Sequence, residues 1–417
     1  MKCCVVRGLN GRPWCAFSCA ALVFGLLALA PGAPQAVASE GLYLLGNDAL
    51  QIGRADSGTA SPRSAYWTLM NPAALVELDR RADLTLYGVR ENIVVNPDGI
   101  ISNKRNGSLS ADGEVAIPAG GVVWPLAGGE KGVLGMGAYI LGGGEITYEA
   151  PRSLPGRLLF GGRDRKLALQ HLELVGGYGY RLDNGWALGA GVQGSLTRLR
   201  TDQLTLRMRP AIADYAWDEA VGIGFNLGIY KRWDKWSVGA MYKSRQWADE
   251  FDDYEDLLYD SLDYPHMFRV GLAYRPADRL EFTLDYEYQM WSEATPFSEP
   301  VLESGLRWND IHAIKGGAEW QVNDAWTLMA GVSWSEPAID EDHLFANLFV
   351  PTIIEWHFTA GVSYHINERH HMHVMYMRSE ENRMTNSGQG DIISRLGKGT
   401  EAIVSADSVA IGYSYMF

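Results

Sequence analysis

The sequence predicts an all-β fold: a transmembrane antiparallel β-barrel of about 14 strands with a small N-terminal plug, or hatch, in its lumen. Three observations predict it. The chain ends V-A-I-G-Y-S-Y-M-F, with Val409, Ile411, Tyr413, Tyr415 and Phe417 alternating with small or neutral residues. A period of two with one wholly apolar face is a strand with one side against something greasy. In water such an edge is an aggregation hazard; in an outer-membrane barrel it is the closing strand. Second, short and long polar connections alternate from about Ala82 onward. Third, the chain opens on an export leader.

The leader comes first in the chain. Lys2, Arg7 and Arg12 form a positive region, Ala16 to Ala30 an apolar one, and Ala36-Val37-Ala38 a small-residue cleavage site. This is the pattern of a signal peptide over residues 1–38, with the processed chain expected to begin at Ser39. All four cysteines (Cys3, Cys4, Cys15 and Cys19) fall in it. The processed chain is therefore expected to lack disulfides and cysteine-held metal. The formal charge is −14. Without the three basic leader residues it is about −17, which disfavours nucleic acid as a partner. No later stretch has some 18 consecutive apolar residues, so no spanning helix is expected.

Residues 39–81 are too mixed for a strand, and a lumen of about fourteen strands leaks unless something fills it. They are expected to form the plug. Residues 82–417 then read as the barrel. Tight turns rich in Asp, Asn, Gly and Pro are expected near 127–131, 182–185, 232–235, 276–279, 322–325 and 366–370. Longer connections are expected near 96–113, 149–164, 201–218, 248–262, 292–305, 337–351 and 382–401. This is the asymmetry of an outer-membrane barrel, with short turns in the periplasm and long loops outside. Parity assigns the faces. Trp326, Leu328, Ala330, Val332 and Trp334 oppose Thr327, Met329, Gly331, Ser333 and Ser335. A soluble sandwich alternates in the same way, but the strand lengths and the loop alternation favour lipid.

The N-terminal block carries G-R-A at Gly53 to Ala55, Ala65-Tyr66-Trp67, and N-P-A-A-L from Asn71 to Leu75. Further matches are Tyr242-Lys243-Ser244, Tyr288 to Ser292, and Ser335-Glu336-Pro337. In this order and spacing the chain resembles the FadL/TodX family of outer-membrane transporters for long-chain fatty acids and hydrocarbons. Pro62-Arg63 stand where that family often has an acidic pair. The resemblance implies passive transport: capture by long outer loops, lumenal binding, plug rearrangement, and lateral exit at a kink in the third strand. It implies no cofactor, no metal and no catalysis. Expected partners are hydrophobic small molecules, lipopolysaccharide and the barrel-insertion machinery, with the protein a monomer in a Gram-negative outer membrane.

Specific residues follow. Gly142, Gly143 and Gly144 interrupt the third strand and are the expected wall kink. Leu204, Leu206 and Met208 in one loop, and Phe251, Leu257 and Leu258 in another, are the expected capture residues. Asn71, Pro72 and Ala73 mark the plug. A carboxylate headgroup needs a buried cation, and parity points Lys243, Arg245, Arg269 and Lys315 inward. Lumenal acids (Asp285, Glu287, Glu319 and Glu355) offer these cations structural pairing instead. His370, His371 and His373 sit at a tight turn without a second ligand group at zinc spacing. Two alternatives use the same scaffold: a surface adhesin or phage receptor, and an uptake channel for aromatic hydrocarbons.

Overall fold

The structure, a computed structural model, describes residues 40–99, 108–126, 131–149, 164–202, 215–252, 261–300 and 305–417. The expected capture residues Leu204, Leu206, Met208, Leu257 and Leu258 lie outside the described residues; Phe251 lies within them and is buried.

Fourteen strands form one closed antiparallel sheet. They are β1 (Arg81–Asn96), β2 (Leu109–Pro125), β3 (Gly132–Tyr148), β4 (Arg165–Arg181), β5 (Trp186–Thr201), β6 (Asp218–Trp233), β7 (Trp236–Lys243), β8 (Met267–Ala277), β9 (Leu280–Gln289), β10 (Ile311–Gln321), β11 (Trp326–Ser335), β12 (Trp356–His365), β13 (His370–Thr385) and β14 (Glu401–Met416). Each pairs with its neighbours in sequence, and β14 closes on β1 with Arg81 opposite Met416. The described short connections between strands fall at the turn positions read from the sequence; of the turn expected near 127–131, residues 127–130 lie outside the described residues.

The outward face is apolar. Val192, Ile223, Val270 and Leu284 are more than half exposed, at 66%, 64%, 58% and 55%. Side chains of this kind would be buried in a water-soluble fold; here their solvent is hydrocarbon. Aromatic pairs band the short-turn end. Trp236 stacks on Tyr274 at 4.2 Å, and Trp326 lies 4.5 Å from Tyr364. The closing Phe417 joins this belt, its N–H bonded to the Arg80 carbonyl and the Arg80 guanidinium over its ring.

Strand heights differ. β1–β6, β13 and β14 run 16 or 17 residues, whereas β8–β12 run 10 or 11. About 9–11 residues cross a bilayer, so the long strands stand beyond the membrane on the loop side.

β7 is interrupted. After Lys243 the ladder breaks and resumes as the two-residue strand Trp247–Ala248 against Ile223 and Gly222 of β6. The register slips by one residue across Ser244–Gln246. That slip corrects the parity reading of Arg245. Gln246 turns inward and is buried, while Arg245 sits partly exposed at the rim, its Nε 3.3 Å from Asp263.

The hatch runs from Glu40 to Leu78, nearly all of it buried against the inner face of the strands. Asp48 caps a short helix α1 (Ala49–Ile52), accepting from Leu50 N–H at 3.0 Å. Helix α2 (Trp67–Met70) leads to Asn71, which caps the 3₁₀ helix Pro72–Glu77 with Pro at its first position. The plug motif works through backbone proximity. A Cβ at Gly189 would fall 2.1 Å from Ala73 N, and one at Gly228 2.1 Å from Asn71 Oδ1. Only glycine on β5 and β6 lets the motif dock. Asn71 Nδ2 then donates to the Thr59 and Ile229 carbonyls.

Candidate functional site: a strapped lumen beside a gap in the wall

Lys243, Arg269 and Lys315 all point into the lumen and are buried. None stands free. Lys315 Nζ donates to Glu40 Oε2 and Asp56 Oδ2 at 2.6 Å and to Glu287 Oε2 at 3.2 Å. Arg269 pairs with Asp56 and Glu287. Lys243 Nζ lies 2.6 Å from Glu173 Oε1 and 3.3 Å from the Tyr43 hydroxyl. The carboxylate oxygens of Glu40, Asp56 and Glu287 lie within 4.8 Å of one another. The Lys315 ammonium fills the space that an added cation would need.

These contacts join three parts of the chain: the first described residues, the hatch and the wall. Three acids there face two bases, Arg269 and Lys315. Burial pushes the Glu40 carboxyl up to about 7, a rise that its bond to Lys315 only partly offsets and that Glu287 and Asp56 add to.

The segment Glu40–Gly46 acts as a strap across the lumen. Leu44 N–H donates to Leu141 O at 2.8 Å. Leu141 is the extra residue of a bulge in β3, between Ile140 and Gly142. A Cβ on Gly142 would fall 1.9 Å from the Leu42 carbonyl oxygen, so the strap lies directly on the glycine run. Gly143 has φ +127°, a conformation L side chains rarely adopt.

The hydrogen bonding of the wall is interrupted beside this bulge. β2 pairs with β1 from Leu109 to Val123, and β3 pairs with β4 from Gly132 to Tyr148. Between them, β2 and β3 pair only over Ala119–Pro125 and Val133–Tyr139. Among the described residues, the upper halves of the two strands share no ladder. Two cavities adjoin the strap. One is lined by strap, β3 and β4 residues at the gap, the other by the ion cluster; each holds about 30 Å³. That is room for about two waters, whereas a benzene-holding cavity is about 150 Å³. Neither cavity as it stands has room for a solute the size of benzene.

The sequence reading found the wall-borne cations and the glycine run. It missed Glu40, Tyr43, Asp56 and Glu173. Glu173 carries the same alternation signal as Glu287, with its inward parity on β4. Glu40, Tyr43 and Asp56 lie in irregular chain, where parity says nothing. Arg63, in the position where the family often has an acid, pairs with Glu281 and Glu319 at 2.8 and 3.0 Å. Glu355 lies at the loop end beside Trp334 rather than in the cluster.

The family model described as outer membrane protein transport protein (OMPP1/FadL/TodX) matches residues 29–417. No curated protein matches by sequence. Among solved structures, a Pseudomonas aeruginosa FadL homologue is 18% identical, with 90% of this chain and 100% of that one covered at a TM-score of 0.68. The P. putida toluene transporter TodX is 17% identical, with 90% and 99% covered at 0.67. The Ralstonia pickettii toluene transporter TbuX is 17% identical, with 90% and 99% covered at 0.61. At such identities the likeness speaks for the fold, and the family match over nearly the whole chain decides membership. The chain belongs to the OMPP1/FadL/TodX family of outer-membrane transport proteins for hydrophobic solutes.

Proposed function

We propose that the protein is a passive channel through which hydrophobic solutes cross the outer leaflet and leave sideways through the gap between β2 and β3. The carrying observation is the Leu44–Leu141 hydrogen bond. It ties the strap that fills the lumen to the bulge that borders the gap. Withdrawing the strap enlarges both cavities and frees β3 in one motion. The free energy is the downhill partition of an apolar solute, so neither nucleotide nor metal is needed.

The solute class follows from the pairing. Among the described residues, Lys243, Arg269 and Lys315 are each neutralised by acids. A fatty carboxylate must compete with Glu40 for Lys315, whereas a hydrocarbon need only move the strap. This favours uncharged hydrocarbons. Long-chain fatty acids are the second reading, supported by the Glu40 carboxyl group that pairs with Lys315.

The processed chain is expected to be free of cysteine, so L44C/L141C is a clean test. Oxidation should lock the strap and stop toluene uptake in intact cells, and reduction should restore it. Uptake indifferent to oxidation, with the disulfide formed and the barrel folded, refutes the gate. A wild type that never takes up toluene or oleate points instead to an adhesin or phage receptor.

A further inference from the structure

The cavity at the wall gap is apolar except for two groups. Leu42, Ile146, Leu167, Leu169 and Phe349 line it, together with Glu91 and Thr352. Glu91 projects inward from β1, where it lies opposite Gly113 and Ala406, and is 5% exposed. Among the described residues its carboxyl meets no cation and no hydrogen-bond donor. Thr352 is 3% exposed, and its hydroxyl also has no partner. The neighbouring Tyr148 hydroxyl does not serve Glu91, because it donates to Leu348 O at 2.7 Å.

In this Glu91 is unlike the lumenal acids Glu173, Glu281, Asp285, Glu287 and Glu319, which all have partners. Buried polar groups are normally satisfied, and an unpaired carboxyl is the most costly kind to leave alone. Two such groups sharing one greasy cavity, beside the opening in the wall, form an incomplete site.

We propose that Glu91 and Thr352 select solutes at the exit by their head. The favoured solute is an apolar body carrying a hydrogen-bond donor. An amine is preferred to an alcohol or phenol, because a bond to a carboxylate is stronger when the donor is charged. A hydrocarbon passes but leaves both groups unpaired. A carboxylate is disfavoured, because its charge would be buried in an apolar cavity that offers no cation to pair it. Leu42 belongs to the strap, so the cavity reaches solute size only when the strap withdraws. The inference therefore rests on the lateral-exit reading.

The test uses full-length protein in neutral detergent at pH 7, titrated calorimetrically with toluene, benzyl alcohol, benzylamine and benzoate. Benzylamine should bind about tenfold or more tighter than benzoate. Glu91→Gln should shrink that preference to about threefold or less. Thr352→Val should weaken benzyl alcohol relative to toluene and gives a second readout if Glu91→Gln fails to fold. Equal binding of benzylamine and benzoate by wild type, or a preference untouched by Glu91→Gln, overturns the proposal. So does an unchanged alcohol-to-toluene ratio in Thr352→Val. Toluene uptake by wild-type cells is scored separately. Uptake without head selection sinks only the inference; head selection in the purified protein without uptake sinks the transport reading.

Discussion

The two sides of the barrel treat the hatch differently. On the short-strand side the wall grips it. Asp285 of β9 accepts from Gly58 N–H, Thr59 N–H and Thr59 Oγ1 at 3.0, 2.8 and 2.7 Å. Glu281, also on β9, takes Arg54, Arg63 and Arg275. On the tall side the strap lies on the bulge and glycine run of β3, with Leu44 N–H bonded to the Leu141 carbonyl, beside strands that share no ladder over their upper halves. On the proposed lateral exit the first side holds and the second yields: the hatch stays on β8–β10, and the motion falls to the strap and the adjoining wall.

The largest expected effect breaks the grip. Asp285→Ala leaves three donors without their acceptor and should cost hatch docking about 3–5 kcal/mol. Hydrogen exchange across residues 54–62 should accelerate by orders of magnitude while the barrel keeps its heat-modifiable mobility on gels. Unchanged protection means that β9 is not the anchor.

The next prediction concerns the strap and its sign. Docked, the Glu40 carboxyl stands at about 7, against 4.5 for the ordinary group. It faces Lys315 from β10, Glu287 from β9, and Asp56 from the hatch. With the strap out in water, Glu40 returns towards 4.5. The docked state therefore binds more protons between those values. Docking is strongest below about 4.5, weakens as pH rises towards about 7, and is flat above that. The span is at most about 3 kcal/mol. Toluene uptake should rise over that window, and Glu40→Gln should hold it at the low-pH level. A variant that keeps the pH step shows that another group titrates.

How much of this contrast was legible beforehand follows from how each part is encoded. Strand pairing and facing follow from a two-residue period, so β8–β14 and the inward cations Arg269 and Lys315 could be read directly. The glycines of β3 marked the stretch where a bulge interrupts the register, because they lack side chains to pack. Arg245 was misread because one slipped residue reverses every later side chain, and Ser244–Gln246 carries no proline or glycine to flag it. The partners of the cations were hidden for another reason. Glu40 and Asp56 reach Lys315 across 275 and 259 residues, from chain without a period. Contacts of that range depend on the closed fold, not on local pattern.

A smaller effect sharpens the yielding side. Gly142→Ala puts a Cβ against the Leu42 carbonyl, where a backbone atom must move. The cost should fall on strap docking, about 1–3 kcal/mol. Uptake should speed up severalfold, and a spin label on the strap should gain mobility. A slower channel with an immobile label means that Gly142 serves the wall alone.

The smallest effect lies in the loop that roofs the exit cavity. His343 Nδ1 and Asp340 Oδ1 are 2.7 Å apart, and that hydrogen bond holds the imidazole above its ordinary 6.5. A raised base stabilises the folded loop fully below about 6.5, and the contribution fades as pH climbs through the raised value. Asp340 is half open to solvent, with 46% side-chain exposure, so screening limits the gain to about 1 kcal/mol or less. The same loop carries Phe349 and Thr352. Its loosening at higher pH should therefore blunt head selection slightly without touching the hatch. An NMR titration of His343 checks the cause. The signal should move towards 6.5 in Asp340→Asn, and a wild-type value at or below 6.5 removes the clasp from the account of the exit.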